Sequence, residues 1–245
     1  MKILLAPSES KRRGGDGQFD MNRLLFRELT KLRTYLLEHY NAILKKNDPR
    51  ELSLIFGLKK TSEIAHYSKL NPLSHRTLKA ILRYNGVVFE SLDYTSLPMN
   101  AKEYIDKNTL IFSNLFGPIQ SADPIPDYRF TQGALLDGIR VEKEYRESSG
   151  DLLDKYLEGE EILDLRAAHY DKFYKPSHRY TVPIFLKNGR VLSHWAKRWR
   201  GTVLREVALA GVESIEEFLS LPLYGLTLVE IRESKNRTEV VFSID

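Results

Sequence analysis

Short apolar runs alternate with helical patterns along all 245 residues, and this alternation restricts the fold more than any other feature of the sequence. The runs KILLAP (residues 2–7) and TLIFSNL (109–115) are typical of buried strands. RYTVPIFL (179–186) and RVLSHW (190–195) are separated by KNG and predict a hairpin, because Asn-Gly suits a tight reversing turn. Residues 160–170 predict a further strand followed by a helix.

Helical patterns occupy much of the remaining chain. Asp20 is placed to cap a long helix whose apolar positions recur at three- and four-residue steps: Leu25, Leu29, Leu32, Leu36, Tyr40 and Ile43. Further helices are predicted within residues 47–67 (two, around a turn at Gly57-Leu58), 75–82, 194–211 and 214–219. Residues 227–234 and 238–245 predict a final antiparallel pair of strands. Since no repeat or linker interrupts the chain, we predict one α+β domain over residues 1–245, with a mixed central sheet surrounded by helices.

Composition limits the chemistry that this chain can carry. The sequence has no cysteine, which excludes disulfides, thiolate nucleophiles, iron–sulfur clusters and cysteine-ligated zinc. Its six histidines form no HxxxH or HxH pair, so we expect no metal site. No segment approaches the roughly 20 consecutive apolar residues of a transmembrane helix, and the first apolar run is too short for a signal peptide. We therefore expect a cytoplasmic protein with no membrane partner.

The segment HWAKRWRG (194–201) concentrates cations and contains both tryptophans of the chain. On a helix, both tryptophans fall on one face, where we expect core packing, and the cations fall on the other. Lys197, Arg198 and Arg205 surround Gly201 on that second face, and Arg200 lies at its flank. A glycine inside a helix costs roughly 0.5–1 kcal/mol relative to alanine, so close approach of a ligand or of another backbone would explain Gly201. The alternative is a solvated basic face with an incidental glycine.

Two loops offer further groups for binding. SESKRRGGDG (8–17) follows the first strand, and open α/β sheets bind ligands at the carboxyl ends of their strands. Its glycines allow the backbone to approach an anion, and Lys11 adds positive charge. Neither of the phosphate-binding motifs GxxxxGK(S/T) and GxGxxG is present. Glu9 is either a functional carboxylate or a local salt-bridge partner. DPIPDYRF (123–130) is stiffened by prolines, which suits a binding site or a structural corner.

Five segments, in order along the chain, resemble motifs of the YaaA family of bacterial peroxide-stress proteins. They are KILLAPSESK (2–11), YNGVVFESL (84–92), SNLFGPIQSADPIPDYR (113–129), LRAAHYDK (165–172) and WAKRWRG (195–201). The third resembles S-G-L-Y-G-x-x-x-P-x-D-x-I-x-x-Y-R, with Asn114 and Phe116 as departures. The fourth is similar to L-A-S-x-E-Y-x-K and keeps Tyr170 and Lys172.

The resemblance implies a fold, a binding partner and a biological role. It implies a single-domain α/β fold containing a helix-hairpin-helix-like element, here LSLIFGLKKTSEI (52–64), with Lys59 where a second glycine is usual. It also implies a positively charged cleft, affinity for DNA and protection against hydrogen peroxide. Hairpins of this type present backbone N–H groups to a phosphate.

We therefore expect a cytoplasmic protein of the peroxide stress response that binds duplex or structured DNA without base specificity and uses no cofactor. The predicted phosphate-binding residues are Lys11, Arg129, Lys197, Arg198, Arg200 and Gly201. Other residues of the predicted cleft are Ser8, Glu9, Asp123, Tyr128, Tyr170 and Lys172. The alternatives are an enzyme acting on a nucleotide or modified nucleic acid, with acid–base candidates Glu9, Asp123 and Tyr128, and a scaffold that binds an acidic protein.

Overall fold

The computed structural model describes residues 1–73, 76–192 and 196–244, and all statements below concern these ranges. The strands are β1 (Lys2–Leu5), β2 (Gly17–Gln18), β3 (Arg76–Lys79), β4 (Thr109–Ser113), β5 (Gly117–Gln120), β6 (Pro124–Pro126), β7 (Leu135–Leu136), β8 (Ile139–Arg140), β9 (Ile162–Asp164), β10 (Tyr180–Lys187), β11 (Arg190–Val191), β12 (Leu226–Glu233) and β13 (Arg237–Ile244). The α-helices are α1 (Thr30–Lys46), α2 (Pro49–Phe56), α3 (Thr61–Tyr67), α4 (Ala80–Arg83), α5 (Val87–Leu92), α6 (Met99–Asn108), α7 (Val141–Tyr156), α8 (Ala196–Ala210) and α9 (Ile215–Ser220). Within these ranges, no helix combines the length and the apolar character needed to cross a membrane.

A mixed sheet of eight described strands forms the centre of the fold. Its order is β12-β13-β10-β9-β1-β4-β5, and β11 pairs with the end of β10. The five inner strands are parallel, while β12, β11 and β5 run antiparallel to their neighbours. The central strand β1 is buried on both faces, which explains its uninterrupted apolar sequence. The prediction of a mixed central sheet surrounded by helices is confirmed, and the parallel inner strands make this an α/β fold.

The strand order creates a crevice between β1 and β9. After β1 the chain crosses to β4 on one side, whereas after β9 it continues to β10 on the other side. The segments that leave these neighbouring strands therefore diverge at their carboxyl ends. Such a switch in direction is where open α/β sheets form their ligand-binding crevices.

Two predicted helices differ from the structure. Asp20 accepts a hydrogen bond from the Asn22 N–H, but the helix that it caps is a single 3₁₀ turn over Met21–Arg23. Phe26 has a left-handed backbone with φ 61°, and α1 begins only at Thr30. The prediction of a helix over 75–82 is wrong for residues 76–79, which form β3 between β2 and β6. Pairing on both sides outweighs the local helical pattern there.

The other predicted elements agree with the described parts of the chain. The hairpin of β10 and β11 turns at Asn188 and Gly189, which both have positive φ as a tight turn of this kind requires. The two short helices α2 and α3 flank Gly57, whose left-handed backbone ends α2. Residues 193–195 lie outside the described ranges. The prediction that Trp195 packs in the core therefore falls outside them, as do the first two positions of the helix predicted over 194–211. His75, the first residue of the helix predicted over 75–82, also lies outside them.

Candidate functional site

A cavity of about 310 Å³ opens at the carboxyl ends of β1 and β9, and we call it the β1–β9 cavity. Six of the residues predicted from the sequence line it together: Ser8, Glu9, Arg129, Tyr170, Lys197 and Arg200. They come from the loop after β1, the loop after β6, the 3₁₀ turn after β9 and the start of α8. Its apolar wall includes Phe89 and Leu165. The fold thus gathers groups up to about 190 residues apart in sequence at the carboxyl ends of β1 and β9, although β6 belongs to a separate three-stranded sheet.

Glu9 and Arg129 form the most highly connected part of the lining. An Arg129 Nη2–H donates to Glu9 Oε2 at 3.3 Å, and the second Glu9 oxygen accepts from the Thr131 hydroxyl and from the Gln132 N–H at 3.1 Å. The Arg129 Nε–H donates to the Phe56 carbonyl at 2.8 Å, which is an end carbonyl of α2. The predicted salt-bridge role of Glu9 is therefore present, and Arg129 connects the α2–α3 turn to the cavity.

Lys197 and Arg200 form a second, differently built side of the cavity. They are three residues apart on α8, so their side chains leave the same face of the helix. Neither makes a hydrogen bond or ion pair within the described ranges. Burial lowers the pKa of Arg200 below its ordinary value, and Asp164 offsets part of that effect. Because Asp164 already pairs with Arg166 through two hydrogen bonds, Arg200 keeps its donors available.

Lys11 is buried rather than open to the cavity. Its ammonium lies 3.9 Å from the centre of the Tyr128 ring and donates to the carbonyls of Ser8 and Glu9, both at 3.3 Å. Burial lowers the pKa of Lys11 to about 7, against the opposing effect of Asp127. The Lys11 side chain thus stabilises the loop after β1 through its backbone carbonyls, and we do not include it among the proposed ligand contacts.

Three other residues of the predicted cleft do not line the cavity. Tyr128 is buried behind it, with its hydroxyl 2.9 Å from that of Tyr84 and 2.7 Å from that of Ser113. Asp123 accepts from the N–H groups of Leu25 and Gln120 and so fixes the loop between β5 and β6. Lys172 is exposed at the end of the 3₁₀ turn. These positions support the site or lie beside it.

Arg198 and Gly201 also lie outside the cavity lining. Arg198 is exposed on α8. Gly201 is buried against α5, where an added Cβ would overlap the Val88 carbonyl oxygen and lie 2.9 Å from the Ser91 Cβ. Close approach of another backbone is therefore what requires this glycine, as one of the two explanations predicted.

Sequence reasoning missed several groups that shape the site. The Tyr170 hydroxyl donates to Asn114 Oδ1 at 3.0 Å, and the buried Arg166 donates to the Tyr170 carbonyl at 3.3 Å. Arg166 also pairs with Asp164 at 2.7 Å and stacks on Phe112. The one available signal was a charged Asp-x-Arg at the end of an apolar strand, where unpaired burial would be costly. No group of three or more potential metal ligands occurs within the described ranges.

Comparisons with known proteins assign the chain to a family. Residues 1–231 match the family described as peroxide stress protein YaaA. A protein of Campylobacter jejuni, described as uncharacterized, is 41% identical over 245 residues, which cover 100% of this chain and 99% of that protein. A UPF0246 protein of Corynebacterium glutamicum (strain R) is 31% identical over 251 residues and 98% of both chains. The chain, predicted from its motifs to resemble this family, belongs to the peroxide stress protein YaaA family.

Proposed function

We propose that this chain contributes to peroxide resistance in the cytoplasm by binding the phosphates of duplex or structured DNA at the mouth of the β1–β9 cavity. The observation that carries the proposal is the pair Lys197 and Arg200, which lines the cavity and makes no hydrogen bond or ion pair within the described ranges. A half-buried guanidinium without a hydrogen-bond partner is costly, so a phosphate would offset the charge of Arg200, and the exposed ammonium of Lys197 would add to the attraction. Exposed Arg198, next to them on α8, adds a contact for the duplex backbone.

DNA titrations over a salt series test this proposal. Duplex, nicked and single-stranded DNA are titrated, and log K is plotted against log salt concentration; each phosphate contact contributes about −0.9 to the slope for duplex DNA. The double variant Lys197→Ala/Arg198→Ala should lose about two phosphate contacts, and the slope should become correspondingly less steep. Its free energy of unfolding should change by no more than about 0.5 kcal/mol per site. Binding of no DNA form at low salt would contradict the proposal.

The opposite edge of the sheet provides a matched control. Lys107 is exposed at the end of α6, just before β4, and Arg179 is exposed just before β10. Both lie at the amino ends of parallel strands, whereas the cavity lies at carboxyl ends. Lys107→Ala/Arg179→Ala therefore removes the same charge elsewhere and should leave the slope nearly unchanged. An equal loss in both double variants would show that only net charge matters.

A second candidate function is an enzyme acting on a nucleotide or modified nucleic acid in the same cavity. It is favoured by the convergence of Glu9, Arg129 and Tyr170 on one concave surface, which an open phosphate groove does not need. Of the three acid–base candidates, only Glu9 lines the cavity, since Asp123 and Tyr128 are engaged in hydrogen bonds elsewhere. Incubation of the protein with nucleotides and oxidised DNA, followed by mass analysis of products, tests this function.

A further inference from the structure

The β1–β9 cavity has the dimensions of a small-molecule site. Its volume of about 310 Å³ lies at the lower end of the roughly 300–1,000 Å³ typical of ligand pockets. A paired and stacked base cannot reach the apolar wall of such a cavity, because the two backbones of the duplex hold it away. A free nucleotide, or one turned out of the helix, can enter.

The α8 side of the cavity suits a phosphate group. Lys197 provides an exposed ammonium, and Arg200 provides a half-buried guanidinium with no hydrogen-bond partner within the described ranges. A guanidinium can donate two parallel hydrogen bonds to phosphate oxygens. Val87 and Val88, which line the cavity and are not buried, supply the apolar surface against which a base would lie.

The Glu9 side of the cavity suits a donor on the ligand. Glu9 Oε1 already accepts from Thr131 and Gln132, whereas Oε2 accepts one hydrogen bond, from Arg129 at 3.3 Å. A carboxylate oxygen has two lone pairs, so Oε2 keeps capacity for one more donor. The exocyclic amino groups of adenine and cytosine are donors of this kind. An oxo group at the same place would set an acceptor against a carboxylate.

We propose that the β1–β9 cavity binds one unstacked nucleotide whose base carries an exocyclic amino group. The phosphate lies at Lys197 and Arg200, the base lies against Val87 and Val88, and the amino group donates to Glu9. This assignment rests on the proposed nucleic-acid function and names the substrate class of its site.

Calorimetric titrations with free mononucleotides test the assignment. The pair 5′-AMP and 5′-IMP differs by an amino group in place of an oxo group, as does the pair 5′-CMP and 5′-UMP. The unaltered protein should bind AMP about ten-fold more tightly than IMP, because IMP lacks the amino group that donates a charge-assisted hydrogen bond to Glu9. Glu9→Gln should abolish this preference, since an amide can donate to the oxo group. Equal affinities of the unaltered protein for AMP and IMP would overturn the assignment, whether or not Glu9→Gln folds.

Variants of two arginines on α8 distinguish binding in the cavity from binding on the duplex surface. Arg200→Gln should weaken AMP binding about ten-fold, whereas Arg198→Gln should change it by less than about two-fold. Thermal melting of each variant shows whether it is folded. AMP binding that does not depend on Arg200 in a folded variant would overturn the assignment.

The two proposals fail in different ways. Duplex binding with no mononucleotide binding at millimolar concentrations would overturn the cavity assignment and leave the phosphate-binding function intact. Mononucleotide binding without binding of any DNA form would support the cavity assignment and overturn the DNA-binding function.

Discussion

At the scale of single residues, burial decides what the cations of this chain can do. Lys11 and Lys197 are both lysines in segments predicted to bind phosphate, yet the first is 9% exposed and the second is exposed. The Lys11 ammonium lies among the Tyr84 and Tyr128 rings and two loop carbonyls. Its charge is costly there, whereas the charge of Lys197 is solvated.

The Lys11 environment predicts a dependence of stability on pH. Its pKa is about 7 in the folded state and 10.5 as the ordinary value, so the unfolded chain holds more protons between these pH values. The free energy of unfolding should therefore rise with pH across this window, by up to about 1.4 kcal/mol per unit. Below pH 7 the lysine is protonated in both states, and the full cost of burying its charge is present. Lys11→Met removes this contribution.

Urea denaturation of the parent and of Lys11→Met at pH 6, 7, 8 and 9 measures the effect. The stability advantage of the variant should be largest at pH 6–7 and shrink as the pH rises. A constant difference between the two proteins over this range would contradict the shifted pKa.

At the scale of elements, the contact between α5 and α8 places the cationic face of α8. Gly201 allows the two helices to approach at Val88 and Ser91, and the Arg205 guanidinium donates to the Leu92 carbonyl at 2.8 Å. Trp199 is partly buried and its ring reaches Gly225, just before β12. These contacts fix the rotation of α8 so that Lys197 and Arg200 face the cavity while Arg198 does not.

Gly201→Ala should destabilise the protein, although alanine is the better helix former. The added Cβ would overlap the backbone carbonyl oxygen of Val88 in α5. Overpacking of this kind costs about 1–3 kcal/mol. Gly150→Ala in α7 is the matched control, because an added Cβ there meets no atom within 4 Å. The control should gain up to about 1 kcal/mol. Thermal denaturation of both variants measures the difference, and a stabilised Gly201→Ala would show that the helices can separate without cost.

At the scale of the whole molecule, one hydrophobic core joins the elements that form the cavity. Buried residues from β1, α8 and β13, including Leu4, Val203 and Val240, belong to a single cluster. The central strands pair with neighbours on both sides, and in the described part of the chain the other sheets have only three and two strands. We therefore expect residues 1–245 to behave as one folding unit.

Coincident unfolding transitions test this expectation. Tryptophan fluorescence reports on the α8 region, whereas far-ultraviolet circular dichroism reports on all helices and strands. Both signals should give the same midpoint in urea, with one transition. Two separated midpoints would show that α8 and its neighbours unfold independently of the central sheet.

The sequence by itself determined the types of most elements, because apolar periodicity and turn residues act locally. β1, β4, the β10–β11 hairpin and the paired α2 and α3 follow directly from such patterns. It misjudged the cationic face of α8, because Lys197 and Arg200 line the cavity, Arg198 does not, and Arg205 donates to a carbonyl of α5. It misjudged residues 76–79, where strands distant in sequence provide hydrogen-bond partners that a local pattern does not contain.

Only the tertiary structure decided which charged residues meet a ligand-sized space. Arg129 and Glu9 pair across 120 residues, and Arg200 reaches the same cavity from a third segment, because β1 and β9 are neighbours whose following segments diverge. The same strand order leaves Lys11 covered by Tyr84 and Tyr128. Strand order is set by long-range packing of the whole core, so no local feature of the sequence distinguishes the buried lysine from the cations that line the cavity.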